Sequence, residues 1–449
     1  MFSKILIANR GEIAVRIIRA CKELGINTVA VYSEADKNSF HLELADETVC
    51  IGKAPPHESY LNISSIISAA EITDSEAIHP GYGFLAENPY FAEVCESCGI
   101  KFIGPSAENM RLMGDKVKAR ETVSKAGLSL IPGSKKVLAS KEEAVSLAKK
   151  LSYPVILKAK AGGGGRGMRI CHSDVRLVSA FMNAQAEAEL AFGDSQIYME
   201  KFLERPRHIE VQIAADNYGN VIHLGERDCS IQRRHQKLIE EAPSPALNNK
   251  LRANLGEMVS KVIKDIHYTS VGTVEFLLDN EHFYFIEMNT RIQVEHPVTE
   301  EITGVDLVKL QISMAAGEKL KIKQNEISFE GTAIECRINA EDSENNFIPS
   351  AGRIEFCYFP GGKDVRVDTH VYAGYTVPPN YDSLIAKIIT KGKTRKETLQ
   401  KMDRALGELL IEPNKTTVSF CRKIINDSDF RRGIYNTDFL KKFISREEE

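Results

Sequence analysis

The residues predict a chain of mixed class, α/β in its first part and α+β later, divided into two or three domains. Three observations carry this. The chain opens strand, helix, strand. A buried strand runs straight into consecutive glycines at 162–165. Two apolar runs flank Asp279-Asn280-Glu281-His282, the pattern of a β-hairpin, with carboxylates along its strands. At 449 residues the chain exceeds what one hydrophobic core ordinarily serves.

Taken in order, Lys4–Ala8 is a short apolar strand. Asn9-Arg10-Gly11-Glu12 follows, then a helical pattern from Ile13 to Leu24 that Gly25 ends, then a strand at Thr28–Tyr32. A β-α-β start implies parallel pairing with a ligand crevice at the strand ends. Gly11 alone does not make a GxGxxG dinucleotide fingerprint. Ala77–Phe84 is a further strand entering a turn. Ile100–Gly104, before Pro105, closes this unit, with a boundary near residue 112.

Leu112–Lys116 opens a helix, and Leu128–Pro132 leads to a loop. Pro154–Ala159 reads as a buried strand carrying Lys158 near its end. In the glycine run after it, Gly163, Gly164 and Gly165 let backbone N–H groups approach phosphate oxygens without Cβ obstruction. Met168-Arg169 stands where a Walker A loop requires Lys-Ser/Thr, so the run reads as a flap over a nucleotide, or else as a plain flexible loop. Ile197–Leu203 is a strand passing into a turn. There main-chain groups and Glu200 suit reading an adenine edge, and a salt-bridged surface strand is the competing reading. Arg207–Ile213 alternates polar and apolar residues as a half-buried strand does. Residues 226–241 crowd cations between carboxylates, which fits local anion recognition or a solvated charged face.

The densest chemistry lies at 275–299. With a three-residue loop at 280–282, Glu275 falls opposite Glu287, with Asn289 one step beyond; a two-residue turn would put the two Glu on opposite faces. Opposed carboxylates are destabilising unless a cation sits between them, and two carboxylates with an amide oxygen form a hard oxygen set suited to Mg²⁺. Arg291, Gln293 and Glu295 then repeat at period two. A cation, an amide and a carboxylate on one side suit holding a small planar anion and taking its proton. An edge hairpin with solvated charges is the bland alternative.

Beyond it, Gly304–Ala316 is helical and Lys319–Glu330 is a polar passage to a third unit. Within that unit Arg337 sits mid-strand between apolar neighbours and must face a carboxylate or a bound anion. A helix runs from Arg395 to Leu410. A net charge of −4 argues against a nucleic-acid binder, and no apolar run reaches membrane-span length. The N-terminus lacks a signal-peptide pattern, and nine Cys, an odd number, fit reduced thiols in a cytoplasm. Cys95 and Cys98 form the one CxxC, without the second pair that a zinc site would want.

Ile7–Ala14, His79–Glu87, Gly162–Met168, Glu226–Lys237 and Phe285–Pro297 together resemble biotin carboxylase, the ATP-grasp component of biotin-dependent carboxylases, over nearly the whole chain. The resemblance implies a pre-ATP-grasp, Rossmann-like domain at 1–112, an ATP-grasp domain at 113–325 with a mobile glycine-rich lid at about 131–203, and a C-terminal mixed β/α domain at 326–449. It also implies ATP, Mg²⁺ or Mn²⁺, bicarbonate and biotin as cofactors and substrates, and a homodimer.

Carried over residue by residue, the resemblance assigns ATP to Lys116, Lys158, Gly163, Gly164, Gly165, Glu200, Lys201, Leu203, His208, Gln232, His235, Glu275 and Glu287. It assigns metal to Glu275, Glu287 and Asn289, and bicarbonate to Lys237, Arg291, Gln293 and Val294. Glu295 is implied as general base, beside Arg291, and Arg337 as the residue next to biotin; Glu295, Arg337, Arg291 and Lys237 form the implied catalytic set. Ala161 stands where many relatives carry a further lid Gly.

No Ala-Met-Lys-Met biotinylation motif occurs, so biotin is expected on a separate carrier protein, with carboxyltransferase subunits as further partners. Acetyl-CoA carboxylase is the usual system of this kind; a pyruvate or other acyl-CoA carboxylase, or a different ATP-grasp ligase, is the alternative. A non-catalytic nucleotide-sensing subunit would be expected to lack Glu295, Arg337 or a metal carboxylate, and all are present.

Overall fold

The computed structural model describes residues 1–134, 136–160 and 167–448. The chain opens on a parallel sheet of β1 (Lys4–Ile7), β2 (Asn27–Ser33), β3 (Glu47–Gly52), β4 (Ala77–His79) and β5 (Lys101–Phe102), in the order β3-β2-β1-β4-β5. Helix α1 (Gly11–Glu23) buries Ile13, Ala14, Ile17, Ile18 and Cys21, one stripe at helical spacing. It ends at Leu24, after which Gly25 takes a left-handed φ of 71°. The strand order reverses between β1 and β4, so a crevice opens beyond their carboxyl ends. The side-chain amide of Asn9 laces it by donating to the carbonyls of Pro80 (2.7 Å) and Tyr82 (2.8 Å).

A small antiparallel sheet follows: β6 (Val155–Ala159), β7 (Met168–Cys171) and β8 (Ile197–Lys201), in the order β7-β6-β8. Helices Lys141–Leu151 and Asp174–Phe192 cover it, and Leu157, Cys171, Phe181 and Met199 belong to a core of its own. The link from β6 to β7 includes 161–166, so the expected contacts of Gly163, Gly164 and Gly165 lie outside the described residues.

The third sheet carries the site. It contains β9 (Arg207–Ala215), β10 (Val221–Arg233), β11 (Gln236–Ala242), β12 (Ser270–Asp279), β13 (His282–Asn289) and β14 (Thr332–Asn339), ordered β13-β12-β9-β10-β11-β14. Beyond β14 come the strands Leu384–Gly392 and Val365–Thr369, so one eight-stranded sheet runs on past residue 325. The expected helix at Leu112–Lys116 is two helices, Ala107–Gly114 and Lys116–Lys125. Asp115 caps the second by accepting from the N–H groups of Val117 and Lys118. The helix expected from Gly304 begins at Leu307, because Gly304 takes a left-handed φ that closes the preceding helix His296–Thr303.

The 275–289 hairpin corrects one expectation. Its turn is two residues, Asn280 (φ 47°) and Glu281 (φ 66°), with Asp279 paired to His282. By that register Glu275 would miss Glu287. A β-bulge after the Phe276–Phe285 pair inserts Ile286 and restores the Glu275–Glu287 pairing. The bulge also switches parity. Phe285 turns into the core against Phe276, while Ile286, Glu287 and Asn289 line the cleft, so Phe285 and Glu287 do not share a face as alternation alone predicted. Nor is 291–295 a strand. It is an irregular turn in which Glu295 precedes the helix His296–Thr303 as its N-cap residue, with Pro297 in the first turn.

Candidate active site

A cleft of about 1390 Å³ lies between the three sheets. Asn9–Glu12 and Tyr82–Phe84 line it from the first sheet, Lys158 and Glu200–Leu203 from the second, β9 to β14 and the turn after β13 from the third, and residues of the C-terminal part such as Tyr381 and Phe420 complete it. Lys116, Lys201, Gln232, His235, Gln293, Val294 and Arg337 all face it too. Every expected site residue within the described region therefore reaches one cavity.

At its centre Lys237, on β11, directs its ammonium to three carboxylates. It touches Glu210 closely, Glu295 at 2.7 Å and Glu275 at 3.1 Å. Arg337 on β14 bridges Glu240 (2.5 Å) and Glu295 (2.9 Å), the pairing its mid-strand position demanded. His208 Nε2 lies 3.1 Å from Glu210 and 3.0 Å from Glu275. Burial works against a charged imidazole, but Glu275 and then Glu210 raise its pKa to about 10, so it is a cation at neutral pH. Burial likewise opposes ionisation of Glu210, Glu275 and Glu295. Lys237 is the largest opposing influence on all three, and with His208 and Arg227 around Glu210, His208 at Glu275, and Arg337 and Arg227 at Glu295 it holds them below the ordinary carboxylate range.

Arg291 does not sit against Glu295 as expected. Its Nε pairs with Glu87 at 2.9 Å, and its other nitrogens donate to Asn289 Oδ1 and to the carbonyl of Ile292. The reason is geometric: the turn after β13 swings Arg291 toward the first sheet, and Lys237 and Arg337 take the place beside Glu295. Gln293 donates to Glu275 at 2.8 Å, as does Asn289 at 2.7 Å. The carbonyl of Val294 accepts from Lys387.

Toward the second sheet, Glu200 is not free to read a base with its side chain. Its carboxylate is clamped by Lys158 (2.5 Å) and closely by Arg120. Lys201 donates to the carbonyls of Ser152 (2.9 Å) and Tyr153 (3.0 Å). Gln232 donates to the Cys229 carbonyl at 3.2 Å. His235, left-handed at the tip of the β10–β11 hairpin, has its pKa lowered by burial and then by Lys158.

Glu287 differs from its neighbours. Burial and then Glu275 raise its pKa, and its one ion-pair partner among the described residues, Lys116, is 3.9 Å away. A carboxyl in that state gains from a divalent cation, and Glu275, Glu287 and the Asn289 amide oxygen are the hard donors such an ion prefers. His208, Glu210 and Glu275 also bring ligand atoms within 4.8 Å of one another, but there the protonated histidine and Lys237 already balance the charge. The residues fit Mg²⁺ at the hairpin.

Sequence reasoning missed Glu210, Arg227, Glu87 and Glu240 as site residues. Arg227 is fully buried, reaching Gln212 (2.7 Å), Thr273 (3.0 Å), Thr299 (3.0 Å) and Glu210 (3.3 Å), and it braces the cluster from behind. The available signal was a charged residue inside an apolar strand, the one that identified Arg337. It applies equally to Glu210, between Ile209 and Val211 in β9, but not to Arg227, which stands between Glu226 and Asp228 in β10. Cys95 is buried in helix Pro89–Ser97 and Cys98 is exposed, both as free thiols. No helix among the described residues is long and apolar enough to cross a membrane.

Three family models match in sequence: biotin carboxylase N-terminal domain at residues 1–110, carbamoyl-phosphate synthase L chain ATP-binding domain at 115–323, and biotin carboxylase C-terminal domain at 335–442. Biotin carboxylase 1 of Bacillus subtilis is 55% identical over 445 residues, 99% of each chain. Among solved structures, Campylobacter jejuni biotin carboxylase in its β-γ-ATP complex aligns with a TM-score of 0.96 at 51% identity, covering 98% of this chain and 99% of that one. The biotin carboxylase domain dimer of Hydrogenobacter thermophilus 2-oxoglutarate carboxylase, solved with MgADP, ADP and bicarbonate, aligns with a TM-score of 0.95 at 52% identity over 98% of each chain. Full-length identity above half, together with matching architecture around one cleft, makes this chain a member of the biotin carboxylase family.

Proposed function

We propose that the chain carboxylates biotin with bicarbonate in an ATP-dependent reaction. The observation that carries this is the convergence of Glu295, Lys237 and Arg337 in one buried cluster, beside the Glu275–Glu287 pair, within the cleft. Bicarbonate would sit against Lys237, Arg291, Gln293 and the Val294 main chain. Glu295, kept ionised by Lys237 and Arg337, takes its proton, and the freed oxygen attacks the γ-phosphate. Mg²⁺ or Mn²⁺ at Glu275, Glu287 and Asn289 supplies neutralisation of phosphate charge.

Carboxyphosphate formed in this way breaks down to CO₂ and phosphate. The phosphate takes the N1′ proton of biotin, and Arg337 stabilises the enolate-like anion that captures CO₂. Lys116, Lys158, His208, Gln232, His235 and the 200–203 turn hold the nucleotide, the turn through main-chain groups. The glycine-rich lid at about 131–203 keeps water from the intermediate.

The domain partition that goes with this reading is 1–112, 113–325 and 326–449. Cores around Leu6 and Phe276 that stay within the first two segments support it, although a further core joins Ile5 to Ile312, the core around Ile388 takes in Ile231 and Ile239, and the central sheet crosses the last boundary. Biotin arrives on a carrier protein and the chain works as a homodimer; the likeness to a dimeric biotin carboxylase domain supports the latter. Carboxyltransferase subunits complete the system, most typically acetyl-CoA carboxylase, in the cytoplasm. Identity to a 2-oxoglutarate carboxylase domain nearly matches that to a biotin carboxylase, as expected where a different polypeptide selects the acceptor.

The test is phosphate release from Mg-ATP with and without bicarbonate and free biotin. Release that needs bicarbonate, rises with biotin and collapses in Glu295→Gln supports the reading. Release indifferent to both would overturn it and point to an ATP-grasp ligase with another acceptor.

A further inference from the structure

Lys387 lies in the strand Leu384–Gly392, directly opposite Arg337 on β14, and is fully buried. An ammonium in that position needs partners, and it has three from separate parts of the chain. It donates to the carbonyl of Val294 at 2.9 Å. It pairs with Glu12 of α1 at 3.1 Å, and Asp368 lies 3.7 Å away. Each partner is itself held. Tyr82, beyond the end of β4, donates closely to Glu12, and Arg366 grips Asp368 through two nitrogens at 2.9 and 2.8 Å. Glu12 and Tyr82 line the cleft on the side of the first sheet, so Lys387 ties that wall to the turn bearing Val294 and Glu295.

We propose that Lys387 is a positioning residue for the bicarbonate step. The turn 290–295 has no sheet ladder to fix it. Holding the Val294 carbonyl fixes the Val294–Glu295 peptide plane, and with it the direction in which Glu295 leaves the backbone toward Lys237 and Arg337. Two of the three groups anchoring Lys387, Glu12 and Val294, line the cleft, so the aim of the base is set by the packing of the first sheet on the third. Lys387 touches neither nucleotide nor reacting atoms in this scheme; it acts through Glu295 and Val294. The inference rests on the function proposed above.

The experiment compares the full-length wild type with Lys387→Met, Glu12→Gln and the double variant Lys387→Met/Glu12→Gln, which removes a cation and an anion together. Bicarbonate-dependent phosphate release gives kcat and the KM for bicarbonate, and equilibrium binding gives the Kd for ATP. Lys387→Met is expected to lose about 10²-fold in kcat/KM for bicarbonate, the scale of a misplacement near 1 Å, with the Kd for ATP unchanged. Glu12→Gln, which leaves the donor to Val294 in place, loses less. If Lys387→Met does not fold, the double variant is read in its place, with the same expectation.

Wild-type kinetics in a folded Lys387→Met or double variant would overturn the proposal. So would parallel loss of ATP binding in both, because Lys387 would then serve folding alone. A wild type whose release ignores bicarbonate would instead refute the underlying function.

Discussion

Replacing Lys237 with Met removes the one ammonium shared by Glu210, Glu275 and Glu295. At an effective dielectric of about 20, unit charges 2.7 Å apart interact by about 6 kcal/mol, which favours the ionised form of Glu295. That is an upper limit, since Arg337 stays 2.9 Å from Glu295 and the side chains relax. A clear rise in the Glu295 pKa is expected. Glu295 is held below its ordinary 4.5 in the native protein, so its base form persists throughout the neutral range. With Lys237 gone the pKa climbs, and the base form is lost as pH falls through a higher value.

The assay is bicarbonate-dependent phosphate release from pH 5 to 9. Its height is expected to fall at every pH because Lys237 is also proposed to hold the anion, but the readout is the acid limb, which should move toward higher pH. A variant that keeps measurable turnover with an unmoved limb would refute the assignment of Glu295 as the base that Lys237 keeps ionised.

Glu287→Gln should weaken dependence on Mg²⁺ while leaving the metal-free protein at least as heat-stable, since burial and Glu275 already disfavour its charge; a lower Tm without metal would contradict this. Phe285→Ala should cost about 3–5 kcal/mol in denaturant unfolding and Ile286→Ala distinctly less, because the bulge turns only Phe285 into the core; equal losses would refute the parity switch. Burial raises Glu240 to about 7 from an ordinary 4.5, despite Arg337, so the folded state holds its proton through a window where the unfolded chain has released it. Its contribution to stability is therefore present below 4.5 and lost as pH rises through about 7. Glu240→Gln should flatten that fall in a pH series of Tm values.

Much of this protein was legible as sequence. The parallel opening sheet followed from β-α-β order, while the crevice beyond its strand ends depends on the reversal of strand order between β1 and β4. Arg337 announced its partners because a charge between apolar strand residues must be neutralised. The Glu275–Glu287 pairing followed from the hairpin, and with it the expectation of a cation between the two carboxylates. Local rules sufficed wherever the consequence stayed within one element.

They failed where one inserted residue or one long-range partner decided the outcome. Ile286 reverses strand parity through a bulge that no propensity specifies, so the right Glu275–Glu287 pairing had been expected from the wrong loop length. Arg291 and Glu295 look like neighbours at period two, yet Arg291 goes to Glu87, 204 positions away in the chain, and Glu295 to Lys237 and Arg337. Glu210, Arg227 and Lys387 were visible as residues but not as a network, since buried charges choose partners by three-dimensional distance. The sequence determined most of the elements and which residue types are on hand for an anion, a nucleotide and a metal, though not that 291–295 leaves the strand. Only the tertiary structure decided which cation neutralises which carboxylate, because that depends on how three sheets close on one cleft.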